Sequence, residues 1–208
     1  MNKTCIEQYK LVLDELSLQF EGLTIKKSPG GAKTNKNGLA FEDKTAITRS
    51  SISFGRTKHF GTGKSHYYIP FRINNTNYRY LTKHGLQKYF QKYHIFNTES
   101  KCKKVQPDEC FLDETNKVMI ILEKKAQSCA GTADEKLQTG LFKIYKYEKL
   151  YLNYKIYYAF VLQNWFYERR DVYQHELEYL KKHKISVFWG DHADYFDKLT
   201  AYLQSLSP

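Results

Sequence analysis

Pro107-Asp108-Glu109-Cys110-Phe111-Leu112 and, after a short polar gap, Val118-Met119-Ile120-Ile121-Leu122-Glu123-Lys124-Lys125-Ala126-Gln127 decide how this chain folds. The gap, Asp113-Glu114-Thr115-Asn116, carries turn residues, so the spacing predicts a strand pair, Glu109 to Leu112 and Val118 to Gln127. Strand alternation puts Met119, Ile121, Glu123, Lys125 and Gln127 on one face and Ile120, Leu122, Lys124 and Ala126 on the other. Three polar groups therefore line up at the end of an otherwise apolar strand. If Asp108 begins the partner strand, the hairpin brings its carboxylate beside Glu123. Two adjacent carboxylates repel unless a cation sits between them, and hard oxygen ligands suit Mg²⁺. A lysine two residues further on can contact a phosphate or orient an attacking water.

Outward from this pair, the C-terminal half alternates. A helix is predicted from about Ala133 to Tyr147, an aromatic strand over Ile156 to Leu162, a helix over 172–183, a strand over Ile185 to Trp189 and a helix over 193–205. Strands followed by helices imply an α/β fold with a mixed central sheet flanked by helices. In the N-terminal half, Thr4 and Glu7 fit a capping box, and Ile6, Tyr9, Val12, Leu13, Leu16 and Phe20 recur at helical spacing over 5–21. Lys26 to Asn37, KKSPGGAKTNKN, reads as a loop, with a helix starting at Asn37 that carries Glu42 and Arg49. Residues 66–73 and 77–81 read as strands across an Asn74-Asn75 turn, and 83–93 as a helix. The 208 residues fit one domain.

Charge is distributed unevenly. Residues 22–98 hold 14 Lys and Arg against only Glu42 and Asp43, so this one stretch carries the whole net charge of +11. Such a segment faces a polyanion or suffers its own repulsion, and nucleic acid is the partner expected. Arginine suits bidentate contact with guanine, which singles out Arg49, Arg56, Arg72 and Arg79. Lys33, Lys36, Lys58 and Lys64 suit phosphates. Tyr67, Tyr68, Tyr78, Tyr80, Tyr89 and Tyr93 lie in the same stretch, as base-stacking rings or as core and rim residues. Something must favour a negative charge at Glu42: a role at the carboxylate site, or a local ion pair with Lys44 or Arg49.

Other classes drop out. Hydrophobic residues make up 41 % and charged residues 26 %, as in folded soluble proteins. The longest apolar run, Ile156 to Leu162, is far short of the roughly 20 residues of a spanning helix. MNKTCIEQYK has no apolar signal region, so a cytoplasmic protein without membrane attachment is expected. Cys5, Cys102, Cys110 and Cys129 have no zinc-like spacing and read as free thiols. Gly61-Thr62-Gly63-Lys64-Ser65 lacks the first glycine of a P-loop, since Lys58 stands there. His175-Glu176 lacks the second histidine of a zincin helix, which would fall at Tyr179.

Pro107-Asp108 followed by Glu123-Lys124-Lys125 resembles the PD-(D/E)XK nuclease superfamily, and Gln127 extends it to Glu-x-Lys-x-Gln. Gly38-Leu39-Ala40-Phe41-Glu42 looks like the helix that supplies an additional acid in that superfamily. Ile185 to Asp191 with Tyr195-Phe196 resembles the terminal strand and helix of small type II restriction endonucleases. The likeness covers 37–49 and 105–205. It implies a restriction-endonuclease-like core, with residues 50–100 as an inserted basic recognition region. It also implies a Mg²⁺-dependent endodeoxyribonuclease in which Mn²⁺ substitutes. Asp108, Glu123 and the Lys124 backbone carbonyl would hold the metal, Lys125 would act on the water, Glu42 would assist, and Gln127 would orient the site. A homodimer on palindromic double-stranded DNA and a matching methyltransferase in the host follow from the resemblance. The position between Glu123 and Lys125 is commonly apolar in the superfamily. Here Lys124 is expected to snorkel at the strand end or reach DNA. The alternatives are a structure-selective repair or recombination nuclease of the same superfamily and a DNA-binding protein without chemistry.

Overall fold

The computed structural model describes residues 30–93, 105–127 and 135–206, the first six by backbone alone. The predicted helix over 5–21 lies outside them. The chain divides into two units, Met1–Lys33 and Thr34–Pro208. At the centre of the second unit is a mixed sheet of seven strands lying in chain order: β1 (Lys58–His59), β2 (Tyr67–Ile73), β3 (Thr76–Leu81), β4 (Glu109–Asp113), β5 (Val118–Lys125), β6 (Lys155–Leu162) and β7 (Ser186–Trp189). Neighbours are antiparallel from β1 to β5 and parallel from β5 to β7. The mixed α/β expectation holds at this level.

Turn chemistry fixes the antiparallel half. Asn74, at φ 52°, takes the left-handed conformation that asparagine tolerates and closes the β2–β3 hairpin with Ile73 opposite Thr76. The Asp113 carboxylate accepts the amides of Thr115 and Asn116 and the Asn116 side-chain amide, closing the β4–β5 hairpin. The parallel half needs crossovers, and helices supply them. They are α3 (Gly140–Leu150) between β5 and β6, then α4 (Asn164–Glu168) and α5 (Gln174–Lys182) between β6 and β7. The other helices are α1 (Gly30–Lys44), α2 (His84–Tyr93) and α6 (Tyr195–Leu206).

Because β4, β5 and β6 are covered on both sides, they read as nearly unbroken apolar runs. On one face Cys110, Leu112, Met119, Ile121, Tyr158, Phe160 and Leu162 share a core with Leu86, Phe90, Tyr147 and Leu180. On the other, Phe111, Ile120, Leu122, Ala159 and Val161 share one with Phe41, Ile47, Tyr195, Leu199 and Leu203. Gly190, at the end of β7, lies so close to α1 that a Cβ there would stand 2.7 Å from Phe41 and Thr45.

Several boundaries differ from the sequence reading, and the helix expected to carry Arg49 ends at Lys44, with Arg49 on a separate 3₁₀ turn, Ile47–Arg49. Residues 30–37, expected as a loop, are helical, so α1 starts at Gly30 and not at Asn37. Once the turn around the buried Phe41 is fixed, each added residue gains a hydrogen bond, and this outweighs poor propensity. Over 135–139, expected as part of a helix, the chain makes a turn and then a 3₁₀ turn at Leu137–Thr139 before α3 begins. A Cβ at Gly140 would lie 3.0 Å from Ile185 and 3.2 Å from Phe160, so the glycine lets the helix begin pressed onto the sheet. The two-residue strand β1 and the short α4 carry no signal that periodicity detects. Residues 58–93 supply three strands of this sheet and α2, and Tyr78, Tyr80 and Tyr89 are core residues.

Lys124 neither snorkels nor faces outward. Its side chain is 2 % exposed, and its ammonium lies 3.0 Å from Glu109 Oε1 and donates to the Glu42 carbonyl at 2.9 Å. Glu109 Oε1 also accepts the Tyr80 hydroxyl at 2.8 Å and the Ile47 amide at 3.2 Å. The strand leaves Lys124 no other face, and Glu109 supplies the counter-charge there. Lys124→Met should leave Glu109 buried and unpaired, costing about 3–5 kcal/mol, whereas Glu109→Leu/Lys124→Met together should recover most of that. Urea denaturation of the two singles and the double checks the pattern.

Candidate active site

The register of β4 on β5 pairs Glu109 with Leu122. Continued one step past the end of β4, that register puts Asp108 opposite Glu123. Asp108 Oδ2 accepts the Lys124 amide at 2.7 Å, which pins the carboxylate across the hairpin's open end. Lys125 presents its carbonyl the opposite way, to the Gln163 amide at 3.0 Å on the β6 side. By strand alternation the Lys124 carbonyl therefore points towards Asp108.

Glu123 is buried, and its Oε1 holds two ammonium groups, Lys125 and Lys143, each at 2.5 Å. Its Oε2 is buried without a hydrogen-bond partner. Beneath it lie the phenols of Tyr158 and Tyr147, held protonated by burial first and by the Glu123 charge second. Burial alone would raise the Glu123 pKa, but the two lysines reverse that and hold it below the ordinary carboxylate range. Asp108 has the opposite fate: burial first, then the Glu123 charge, push it up to about 6 against the pull of the Lys124 amide and Lys125. Environment has driven two neighbouring carboxyls apart.

Glu42 stands on α1 in a cleft of about 240 Å³ that it shares with Asp108, Tyr80, Lys83, Glu109 and Lys124; Glu123 and Lys125 are not among the residues lining it. The Glu42 carboxylate pairs with Lys83 at 2.6 Å. The expected local partners are engaged elsewhere: Arg49 with Asp43, and Lys44 with Asp191 at 2.7 Å. Gln127, just past β5, has a buried side-chain amide without a hydrogen-bond partner, and its backbone N–H donates to Gln163 Oε1 at 2.9 Å.

The oxygen donors that a divalent cation would find are an Asp108 carboxylate oxygen, the orphaned Glu123 Oε2 and the Lys124 carbonyl. These are hard donors and fit Mg²⁺. Among the described residues, no three His, Cys, Asp or Glu side chains converge as a metal cage. The set therefore depends on the backbone oxygen and on water. Cys110 is buried and free, and Cys5, Cys102 and Cys129 lie outside the described residues.

The basic residues divide. Lys36, Arg56, Lys58 and Lys64 are exposed, and the side chain of Lys33 lies outside the described residues. Arg72 braces its own hairpin, donating to the Asn74 carbonyl at 3.0 Å and to Asn75 Oδ1 at 3.0 Å. Arg79 pairs with Glu114 and lies over the rings of Tyr68 and Tyr89. Arg72, Arg79, Lys58 and Tyr68 line a larger groove of about 520 Å³, at the opposite end of β4 from Asp108. In the Gly61–Ser65 loop the Gly63 amide donates to its own His66 Nδ1 at 3.2 Å, and a strand follows, so no phosphate cradle forms.

Lys143 and Lys83 were missed by sequence reasoning. Lys143 had a signal: it shares a helical face with Gly140, Ile144 and Tyr147. No protein-family model matches the chain, and no curated protein matches it.

The raised Asp108 sets a pH dependence. Between about pH 4, where the unfolded carboxyl loses its proton, and about 6, where the folded one does, the folded state binds more protons. Stability from this group is therefore lost as pH rises through that window. Asp108→Asn should stabilise the protein by up to about 3 kcal/mol at pH 7.5 and by about a third of that at pH 4.5. Thermal unfolding at both pH values in chelator measures it.

Proposed function

We propose that this chain is a Mg²⁺-dependent endonuclease of duplex DNA, a type II restriction endonuclease of the PD-(D/E)XK kind, working as a homodimer. One observation carries the reading: a buried carboxylate pair at a strand end, one member holding its proton to about 6, with Lys125 on the same face. Repulsion between two carboxylates held this close is what a bound cation relieves. Asp108, Glu123 and the Lys124 carbonyl would hold Mg²⁺, which when bound lowers the pKa of a water and neutralises the scissile phosphate. Lys125, fixed by Glu123, orients the attacking water and offsets the charge growing on phosphorus. Glu42, paired with Lys83, would assist from the cleft that it shares with Asp108.

The basic stretch would supply affinity and reading. Of its four arginines, Arg49, Arg72 and Arg79 have partners within the chain. Arg56 is exposed, with no such partner among the described residues, and is the first candidate for a base contact.

Incubation of plasmid DNA with Mg²⁺ should give discrete fragments, with Mn²⁺ substituting and chelator abolishing the reaction. A smear would favour the structure-selective alternative, and cleavage in chelator would sink the metal reading. Glu123→Gln and Lys125→Ala should each cut roughly 10²–10³ more slowly, while Lys125→Ala keeps cognate binding in Ca²⁺. Gel shifts on cognate and mismatched duplexes complete the test. Arg56→Ala should relax discrimination at one base pair by roughly 1–3 kcal/mol, whereas Lys64→Ala weakens binding to all sequences alike.

A further inference from the structure

The strand motif accounts for one lysine at Glu123, and the structure has two. Lys143 reaches the same Oε1 as Lys125, each at 2.5 Å, so their nitrogens stand no more than about 5 Å apart. Two like charges that close in a water-poor site repel, and they stay because two carboxylates face them. Counted locally, Asp108 and Glu123 balance Lys125 and Lys143. A divalent cation entering between the carboxylates breaks that balance by two positive charges, so an ammonium must leave.

The two lysines are not equally able to go. Lys125 stands on β5, two residues from Glu123, and its side chain is 14 % exposed. Lys143 arrives from α3, 20 residues along the chain, and its side chain is 25 % exposed. The outer side of α3 carries the exposed Phe142, Tyr145 and Lys149, so solvent lies next to its path. We propose that Lys143 is a resident counter-ion, which holds the Glu123 carboxylate in the metal-free protein and is displaced from it when a divalent cation binds. The proposal rests on the reading of Asp108 and Glu123 as a cation site. It makes Lys143 a positioning residue that competes with the metal for Glu123, and it gives the buried carboxylate a partner at every stage.

Mn²⁺ titration of the full chain without DNA, followed by electron paramagnetic resonance, tests it. Lys143→Met should bind Mn²⁺ about tenfold more tightly than wild type, the coupling expected of groups in contact. Lys143→Gln should do the same and serves if the Met variant folds poorly. Lys149→Met removes the same charge from the exposed side of α3 and should change affinity less than twofold. In chelator Lys143→Met should melt below wild type, and Mn²⁺ should raise its melting temperature by more. If both Lys143 variants bind Mn²⁺ no more tightly than Lys149→Met, the displacement is wrong and the cation site stands. If neither wild type nor any variant binds Mn²⁺, both fall together.

Discussion

A lysine buried at the end of a strand needs a counter-charge, and much of this molecule is arranged around giving Lys124 one. Glu109 sits on the same face through the β4–β5 register, and the Glu42 carbonyl completes the ammonium's shell. The pair does little for stability when weighed against an apolar isostere, because desolvation consumes most of the Coulombic gain. Its consequence is positional. A one-residue slip of β5 on β4 would send Lys124 to the other face and strand Glu109. Since Glu109 also takes the Tyr80 hydroxyl and the Ile47 amide, the same carboxylate ties β3 and the segment after α1 to the hairpin. Register, the seat of α1 and the place of Glu42 thus share one buried charge.

On the opposite face the same strand end does something different. Glu123 gathers two lysines and is held ionised, while Asp108, with only an amide and the more distant Lys125 in its favour, resists ionisation. Two carboxyls one strand apart are therefore unequal before any ligand arrives. Keeping Asp108 ionised costs stability, because burial and the Glu123 charge both oppose it.

Much of this was legible in the residues. Turn chemistry at Asn74-Asn75 and Asp113–Asn116 set both hairpins, and alternation put Glu123 with Lys125 and apart from Lys124. What alternation cannot convey is what lies opposite. Lys124 looked like a solvent-seeking residue because its partner, Glu109, becomes visible only once the register is known. Lys143 was hidden for a related reason. A helix taken to start near Ala133 has no fixed origin for its buried face, and Gly140, which sets that origin, matters through contacts with Ile185 and Phe160 that are remote in sequence. The start of α1 failed differently: local propensity favours a loop at GGAKTNKN, and the helix is propagated from the anchored Phe41 end.

The arginines of the basic stretch are mostly committed within the chain: Arg79 is sandwiched by two tyrosines and a glutamate, and Arg72 is braced by its own turn. Such guanidiniums are costly to redirect but already ordered, so any contact they make with an anion incurs little further entropy loss. Both line the groove beyond the far end of β4, six residues from Asp108 to Glu114, or roughly 20 Å at about 3.3 Å per residue. That span is about six base-pair steps of duplex at roughly 3.4 Å each. On the nuclease reading, a duplex running along β4 would meet preorganised arginines at one end and the carboxylate pair at the other. With the rigid arginines at the far end of β4, the pairing of Glu123 is left to the two lysines that touch it, Lys125 and Lys143.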